Sequence, residues 1–320
     1  MIEGSQNNLI SVVVPVFKAE GTLHELYRRI KEAVEGISGV NLELILVEDC
    51  GGDDSWKIIR ELASTDHRVR GISFSRNFGQ HHGITAGIDH ARGDWVVVMD
   101  CDFQDRPEEI PALYAIALEG YDVVLARRAN RRDPVFKKLS SRMFYKVFSY
   151  LADIEYDSSV GNFRIISRRV VKNLRRMREQ ARFFGGQVKW MGFPTTTVDV
   201  RHEGRSEGRS NYTFSKLWKF AWEAIFAYSD KPLRISVRVG FGMSFLAFLY
   251  GLWIAYKALF IGVPVPGWSS LMVSLYFIGG MIIANLGLLG IYVGKTFDEA
   301  KGRPLYVVNE TTFSEEEDND

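Results

Sequence analysis

The sequence predicts an α/β domain built on a mostly parallel sheet, followed by two membrane-spanning helices. Three observations carry that prediction. In the N-terminal part, short runs rich in Val, Ile and Leu alternate with segments of helical spacing, the pattern of a sheet covered on both faces. Acidic residues recur where those runs end, and ligands of such sheets gather outside the carboxyl ends of the strands. Near Arg238 the chain changes character: Val239–Tyr256 carries no charge, and neither does Ala258–Gly294.

The strands read in order as ISVVVPVF (Ile10–Phe17), LELILVED (Leu42–Asp49), VRGISFS (Val69–Ser75), DWVVVMD (Asp94–Asp100) and DVVLARR (Asp122–Arg128). Between them, 21–36, 54–65, 80–91 and 107–119 have helical spacing, and Pro107 stands where a first-turn proline is tolerated. This alternation implies right-handed crossovers between parallel strands. Glu48, Asp49, Asp100 and Asp102 all fall at strand ends. The final SEEEDND reads as a solvated tail.

A hydrocarbon core about 30 Å thick is spanned by about 20 apolar helical residues. Two spans are expected, over 238–260 and 269–293, joined at PVPG (Pro264–Gly267). Arg234 and Arg238 precede the first, Lys295, Lys301 and Arg303 follow the second, and the turn between them has only Lys257, near a helix end. By the positive-inside rule both termini and the α/β domain are cytoplasmic, in a multi-pass membrane protein. MIEGSQNN has no apolar stretch, so no signal peptide is expected. From Phe214, apolar residues recur at Leu217, Trp218, Ala221, Trp222, Ile225 and Phe226, with Lys216 and Lys219 beside them. Such an amphipathic helix either lies in the headgroup plane or packs on the α/β domain. The expected organisation is an α/β domain over 1–213, amphipathic helices over 214–237, a membrane hairpin over 238–294 and a C-terminal tail over 295–320. The 40 basic and 39 acidic side chains leave a net charge of +1, which argues against a nucleic-acid partner. Cys50 and Cys101 match no ligand spacing, so neither a disulfide framework nor a zinc site is expected.

Asp100 and Asp102 are the chemical centre of the sequence. In an extended chain their side chains share a face, ~6.6 Å apart, and two bare carboxylates that close repel one another. A divalent cation removes the conflict. Oxygen ligands suit Mg²⁺ or Mn²⁺, which typically keep waters and take substrate phosphates as well. Read alone, the same stretch is equally a solvated loop leading into a helix. Asp105, before Pro107 and Glu108, is expected to cap that helix. His81 and His82 are adjacent at a helix start, so they point different ways; a two-His metal site is not expected, and a satisfied or ligand-contacting role is.

VVVPVFKAEGTL, VEDCGGDDS, SRNFGQHHGITAG and DCDFQDRPEEIP occur in that order at strand ends. Together they resemble inverting nucleotide-sugar transferases of the GT-A (Rossmann-like) fold, the family that includes dolichyl-phosphate mannose synthase. RSEGRSNYTFSKL, the two spans and GLLGIYVGKTFDEAKGRPLYVV narrow the resemblance to bacterial polyprenyl-phosphate glycosyltransferases, such as the aminoarabinose-type undecaprenyl-phosphate transferases and the phage-type glucosyl transferases. The resemblance implies a membrane enzyme moving a sugar from a nucleotide-sugar donor, UDP-linked rather than GDP- or dTDP-linked, to polyprenyl phosphate with Mg²⁺ or Mn²⁺. It implies that Pro15, Val16, Phe17, Glu20 and Asp49 hold the nucleotide, and that Asp100 and Asp102 hold the metal, with Gln104 following them. Arg127 or Arg128 matches a basic residue near the donor diphosphate, and Arg205, Arg209 and Ser210 match a phosphate-binding loop. Arg164 is either a phosphate ligand or a strand brace. The chain departs from the family's pattern at Glu48 and Cys50, at Asn211 where a lysine is usual, and at Asn162 where an acid is usual; Asp157 is an alternative acid. The relatives point to a dimer or tetramer. Two other readings stay open: a processive polysaccharide synthase of the same superfamily, and a membrane nucleotide-sugar sensor with a dead site. Against the first, Gln187–Trp190 is too short for the QxxRW pattern of such synthases; against the second stand Asp100, Asp102 and Gln104.

Overall fold

A computed structural model describes residues 8–128, 160–200, 229–260 and 267–314. The described chain falls into two units, one of residues 8–128, 160–200 and 303–314, the other of 229–260 and 267–302.

The first unit opens with β1 (Asn8–Val16), α1 (Leu23–Glu35), β2 (Val40–Glu48), α2 (Ser55–Thr65), β3 (Val69–Phe74), α3 (Gln80–His90) and β4 (Trp95–Val98). A single 3-10 turn, Pro107–Glu109, leads into α4 (Ile110–Ala117) and β5 (Val123–Arg128). Then come β6 (Val160–Ser167), α5 (Arg168–Leu174), α6 (Phe184–Trp190) and β7 (Thr195–Val200). The second unit contributes α7 (Lys231–Phe260) and α8 (Trp268–Ala300), after which β8 (Val308–Thr311) returns to the first. The eight strands form one sheet in the order β7-β5-β6-β4-β1-β2-β3-β8. β6 runs antiparallel to both β4 and β5, β8 antiparallel to β3, and the other pairs are parallel.

Strand alternation sends side chains to two apolar layers. On one face Val12, Val14, Leu44 and Leu46 meet Leu23, Leu26 and Ile30 of α1. On the other, Val13, Ile45, Val47 and Ile72 meet Ile84 of α3, with Val170 and Val171 of α5. Fully burying each such side chain is worth about 1.5–3 kcal/mol. Both faces are thus dry, which is why these strands read as continuous apolar runs. α3 lies so close to β1 that a Cβ on Gly87 would come within 2.2 Å of Val13 Cγ1; glycine is what allows that contact. At the end of the sheet opposite the parallel strands' carboxyl ends, Glu43 is buried and receives Ser11 Oγ at 2.5 Å, Arg92 Nε at 2.8 Å and Arg70 Nη1 at 3.1 Å. A buried carboxylate survives only when paired in this way.

The five expected strands and four expected helices are all present. β4 ends at Val98, so Met99 and Asp100 already belong to the loop. Two strands differ from expectation in kind. VGNFRIIS forms β6, an antiparallel strand inside the sheet. Residues 303–314, expected to belong to a C-terminal tail, instead supply β8 and cover the β3 edge, which would otherwise present unpaired backbone groups.

In the second unit, α7 and α8 are each long and apolar enough to cross a membrane. They exceed the expected spans because Lys231, Arg234 and Arg238 at one end and Lys295, Asp298 and Glu299 at the other extend the helices past the apolar stretch. Phe241, Leu246, Phe248, Leu275, Ile283 and Leu286 are all exposed, a continuous apolar surface of the kind lipid covers. Inside the hairpin, Ser236 Oγ bonds Asn285 Oδ1, and Tyr292 donates to the Ser229 carbonyl at 2.9 Å. The expected amphipathic helix from Phe214 lies outside the described residues.

Candidate active site

The loops that follow β1, β2 and β4 share a backbone feature. Lys18, Cys50 and Phe103, none of them glycine, have φ of 54°, 54° and 61°. Left-handed backbone costs a side-chain-bearing residue energy, and such residues cluster where a loop must be held in one shape for function.

The loops after β1 and β2 are laced together. Val16 accepts from the Asp49 N–H at 2.9 Å. Glu20 accepts from the Asp54 N–H at 2.9 Å, its own N–H donates to Asp53 at 3.2 Å, and Asp53 also receives Ser55 Oγ at 2.8 Å. Pro15 and Val16 end β1, and beyond them the Phe17 ring is 48 % exposed, with Lys18 Nζ 5.6 Å from its centroid. Glu48, a departure from the family pattern, is buried and occupied: Gly51 N–H donates to it at 2.6 Å and Ser73 Oγ at 3.0 Å.

Asp49 reaches across to the loop before α3. Its two oxygens accept from the N–H groups of Phe78, at 2.6 Å, and Gly79, at 2.8 Å, while Asn77 Nδ2 donates to its carbonyl at 3.1 Å. Burial raises its pKa and the two backbone N–H bonds oppose that rise. Each carboxylate oxygen retains a second lone pair, so Asp49 is positioned by this loop and still able to accept from a ligand.

Asp100 receives Gln80 Nε2 at 2.6 Å and Asn162 Nδ2 at 3.4 Å, both on Oδ1. Its backbone N–H donates to Asp105 at 3.2 Å. Asp102 is braced by Gln104, which donates its backbone N–H at 3.1 Å and its side-chain amide at 2.8 Å. Burial, then the carboxylates of Asp105 and Asp102, push the Asp100 pKa up to about 7. Burial and the two neighbouring carboxylates together favour a positive charge beside Asp100. Asp105 is a correction to the expected helix cap: it is buried, it holds the Asp100 backbone, and Arg106 takes the cap position with no side-chain bond. Among the described residues no three His, Cys, Asp or Glu side chains meet in metal-ligand geometry. A cation held by Asp100 and Asp102 would complete its shell with water and substrate phosphate.

Arg164 is buried. It donates to the carbonyls of Asn162, at 3.1 Å, and Gly161, at 2.7 Å, with its guanidinium 4.8 Å over the Phe184 ring. Of its two expected roles the geometry matches the brace, and what it braces is the start of β6, which carries Asn162. Arg127 pairs with Asp199 at 2.6 Å across the ends of β5 and β7, and Arg128 closes β5. His81 packs edge-on to Phe183 at 5.9 Å, its Nδ1 buried without a hydrogen-bond partner; burial lowers its pKa to about 4, so it is neutral at pH 7. Asp157, Arg205, Arg209 and Ser210 lie outside the described residues.

Residue-type reasoning missed Gln80. It is the shortest side-chain contact to Asp100, and the segment 75–80 bridges Asp49 to Asp100. The only sequence signal was the placement of SRNFGQHHG at a strand end.

Residues 11–175 match the glycosyl transferase family 2 domain. The chain is 40 % identical over 302 residues to an uncharacterized glycosyltransferase of Bacillus subtilis, covering 94 % of this chain and 93 % of that one. It is 37 % identical to the bactoprenol glucosyl transferase of Shigella phage SfII, covering 94 % of this chain and 98 % of that one. Among solved structures, glucosyl-3-phosphoglycerate synthase of Mycobacterium tuberculosis, in complex with Mn²⁺, UDP and phosphoglyceric acid, superposes with a TM-score of 0.50 at 20 % identity, over 69 % of this chain and 77 % of that one. That likeness shows the GT-A fold. With the sheet, the strand-end carboxylates and these relatives in agreement, the chain belongs to glycosyl transferase family 2 and is a glycosyltransferase.

Proposed function

We propose that this protein transfers a sugar from a UDP-sugar to undecaprenyl (polyprenyl) phosphate, with inversion, giving a lipid-linked sugar for envelope glycans. The observation that carries the reading is a single chain holding both a strand-end acidic pair, Asp100 and Asp102, and two exposed apolar helices long enough to span a bilayer. A soluble acceptor would need no such hairpin, whereas a lipid phosphate cannot leave the membrane. The bactoprenol relatives, similar over nearly the whole chain, support the same acceptor. The catalytic domain and both termini face the cytoplasm, and the protein works as a dimer or tetramer.

Asp100 and Asp102 would hold Mg²⁺ or Mn²⁺, which would supply positive charge against the departing diphosphate. The protein's own groups do the rest. Gln80 and Asn162 orient Asp100, and Gln104 orients Asp102. Asp49, Glu20 and the β1 end receive the nucleoside, a carboxylate being a suitable acceptor for the uracil imide N–H. Arg127 and Arg128, with Arg205, Arg209 and Ser210, receive phosphate oxygens. A phosphomonoester has a second pKa of about 6 and is mostly dianionic at pH 7. Its oxygen attacks the anomeric carbon, the bond to the diphosphate breaks, and UDP leaves with that electron pair. No proton has to be removed, so the site works by positioning and charge, and the amide of Asn162 is adequate where the family's pattern has an acid.

The test is to incubate detergent-solubilised protein with undecaprenyl phosphate, Mn²⁺ or Mg²⁺ and a panel of UDP-, GDP- and dTDP-sugars. One UDP-sugar should yield a lipid-linked product and free UDP, both lost in excess chelator. Undiminished transfer in chelator, or transfer to no lipid phosphate, overturns the proposal.

A further inference from the structure

The segment that bridges the two carboxylates is held from outside, by the part of the chain that follows the apolar hairpin. β3 ends at Phe74, and residues 75–80 then pass Asp49 and reach Asp100. Along this stretch the C-terminal residues attach at successive points. Thr312 N–H donates to the Gly71 carbonyl at 3.0 Å and Thr312 Oγ1 accepts from Gly71 N–H at 2.8 Å. Val308 pairs with Phe74, and Ser75 N–H donates to the Val307 carbonyl at 3.0 Å. Gly71 makes this approach feasible, since a Cβ there would stand 2.9 Å from Thr312 Cγ2 and 2.5 Å from Ile59 Cγ2.

Tyr306 is the side chain by which this C-terminal segment reaches the elements on either side of the bridge. Its ring stacks on Phe74, centroids 5.3 Å apart and planes 22° from parallel. Phe74 in turn meets Phe78 edge-on at 5.5 Å. Phe78 is the residue whose N–H donates to Asp49 at 2.6 Å, two positions before Gln80. Arg76 closes the row, its guanidinium 3.9 Å over the Phe78 ring. The far end of Tyr306 is fixed too: its hydroxyl donates to Asp89 at 2.8 Å, and Arg178 bonds the same carboxylate at 2.8 Å. Asp89 belongs to α3, whose first residue is Gln80. Tyr306 therefore spans the strand before the bridge and the helix after it.

We propose that Tyr306 is a positioning residue for donor binding, acting through Phe74 and Phe78 to hold the 75–80 bridge against Asp49 and Asp100. Its aromatic ring carries the effect, and its hydroxyl adds the tie to α3. The proposal rests on the donor-site reading above, and its test has one arm that does not need that reading.

Three full-length variants in detergent decide it: Tyr306→Phe, which keeps the stack, Tyr306→Leu, which keeps apolar volume, and Tyr306→Ala. The first readout is amide hydrogen exchange, which needs no ligand. In Tyr306→Ala the Phe78 and Gly79 amides should exchange at least about ten-fold faster while β1 and β2 keep their protection, since local openings need not involve the rest of a fold. Tyr306→Leu should fall between, and Tyr306→Phe should stay within about three-fold of the parent chain. The second readout is calorimetric binding of UDP with Mn²⁺, expected to weaken about ten-fold in Tyr306→Ala and to be restored in Tyr306→Phe. Unchanged exchange at Phe78 and Gly79 overturns the proposal. So does exchange that rises together over the whole sheet, which is what a merely structural residue would give. Should the parent chain fail to bind UDP, the donor reading falls, and the exchange arm still decides the role of Tyr306.

Discussion

Acid should weaken cation binding at this site in a calculable way. In the cation-free fold the Asp100 pKa is raised from the ordinary 3.8 to about 7, first by burial and then by Asp105 and Asp102. At ~1.4 kcal/mol per pH unit that gap corresponds to at most about 4 kcal/mol. The sign follows from proton counting. Between about pH 4 and 7 the folded chain holds a proton that the unfolded chain has released, so this group's contribution favours the fold in acid and is lost as pH rises to about 7. A divalent cation competes for the same oxygens and must displace that proton. Mn²⁺ affinity should thus be flat above pH 7 and fall about ten-fold per pH unit below it, leaving about 30-fold weaker binding at pH 5.5. Because three carboxylates interact, the break belongs to the cluster rather than to one residue. Asp105→Asn removes one of the two neighbouring charges and should move the break to lower pH. Titration calorimetry of the full-length protein in detergent from pH 5.5 to 8 measures both. A dissociation constant independent of pH, or one that improves on acidification, refutes the reasoning.

Asp102→Asn should lower sugar transfer by at least about 100-fold through loss of charge at the diphosphate, whereas Asp157→Asn should leave most of it; equal losses in a pH–rate comparison would point to a general base. Asn162→Asp replaces a donor to Asp100 with another carboxylate, so it should shift the break in Mn²⁺ binding to higher pH and slow transfer at pH 7; faster transfer would instead mean that a base at this position helps. Gly87→Ala drives a methyl into Val13 and should cost about 1–3 kcal/mol, seen as a lower Tm with transfer per folded molecule unchanged.

The first five strands were legible because each is dry on both faces, leaving an apolar run too short for a helix. β6 was harder to read. Asn162 and Arg164 are polar, and they are tolerated only because Arg164 bonds the carbonyls beside it. β8 gave no apolar signal: Val308, Asn309 and Glu310 are all exposed, and it is held by backbone pairing with β3 and by Trp56 Nε1 donating to Glu310 at 2.9 Å. Such an edge strand leaves no periodicity behind. In the site, Asp49, Asp100 and Asp102 stood out because a carboxylate after a buried run is unusual. Gln80 did not, because a glutamine at a helix start is ordinary until its partner is known.

Two of the three departures from the family pattern among the described residues, Glu48 and Asn162, have a common physical logic. A buried glutamate at position 48 would be costly alone, and here Gly51 N–H and Ser73 Oγ satisfy it. Its carboxylate thereby fixes the left-handed turn at Cys50 that follows. Asn162 works in the other direction. A carboxylate within reach of Asp100 would add a like charge to a site whose burial and neighbouring carboxylates already drive the pKa of Asp100 to about 7; the amide donates instead. Losing an acid there would be expensive for an acceptor hydroxyl, which has a proton to give up. A phosphate dianion has none, so the same substitution leaves its nucleophilicity intact. Asn162 and a lipid phosphate acceptor are in this sense one inference, and the rate of Asn162→Asp at pH 7 is where they stand or fall together.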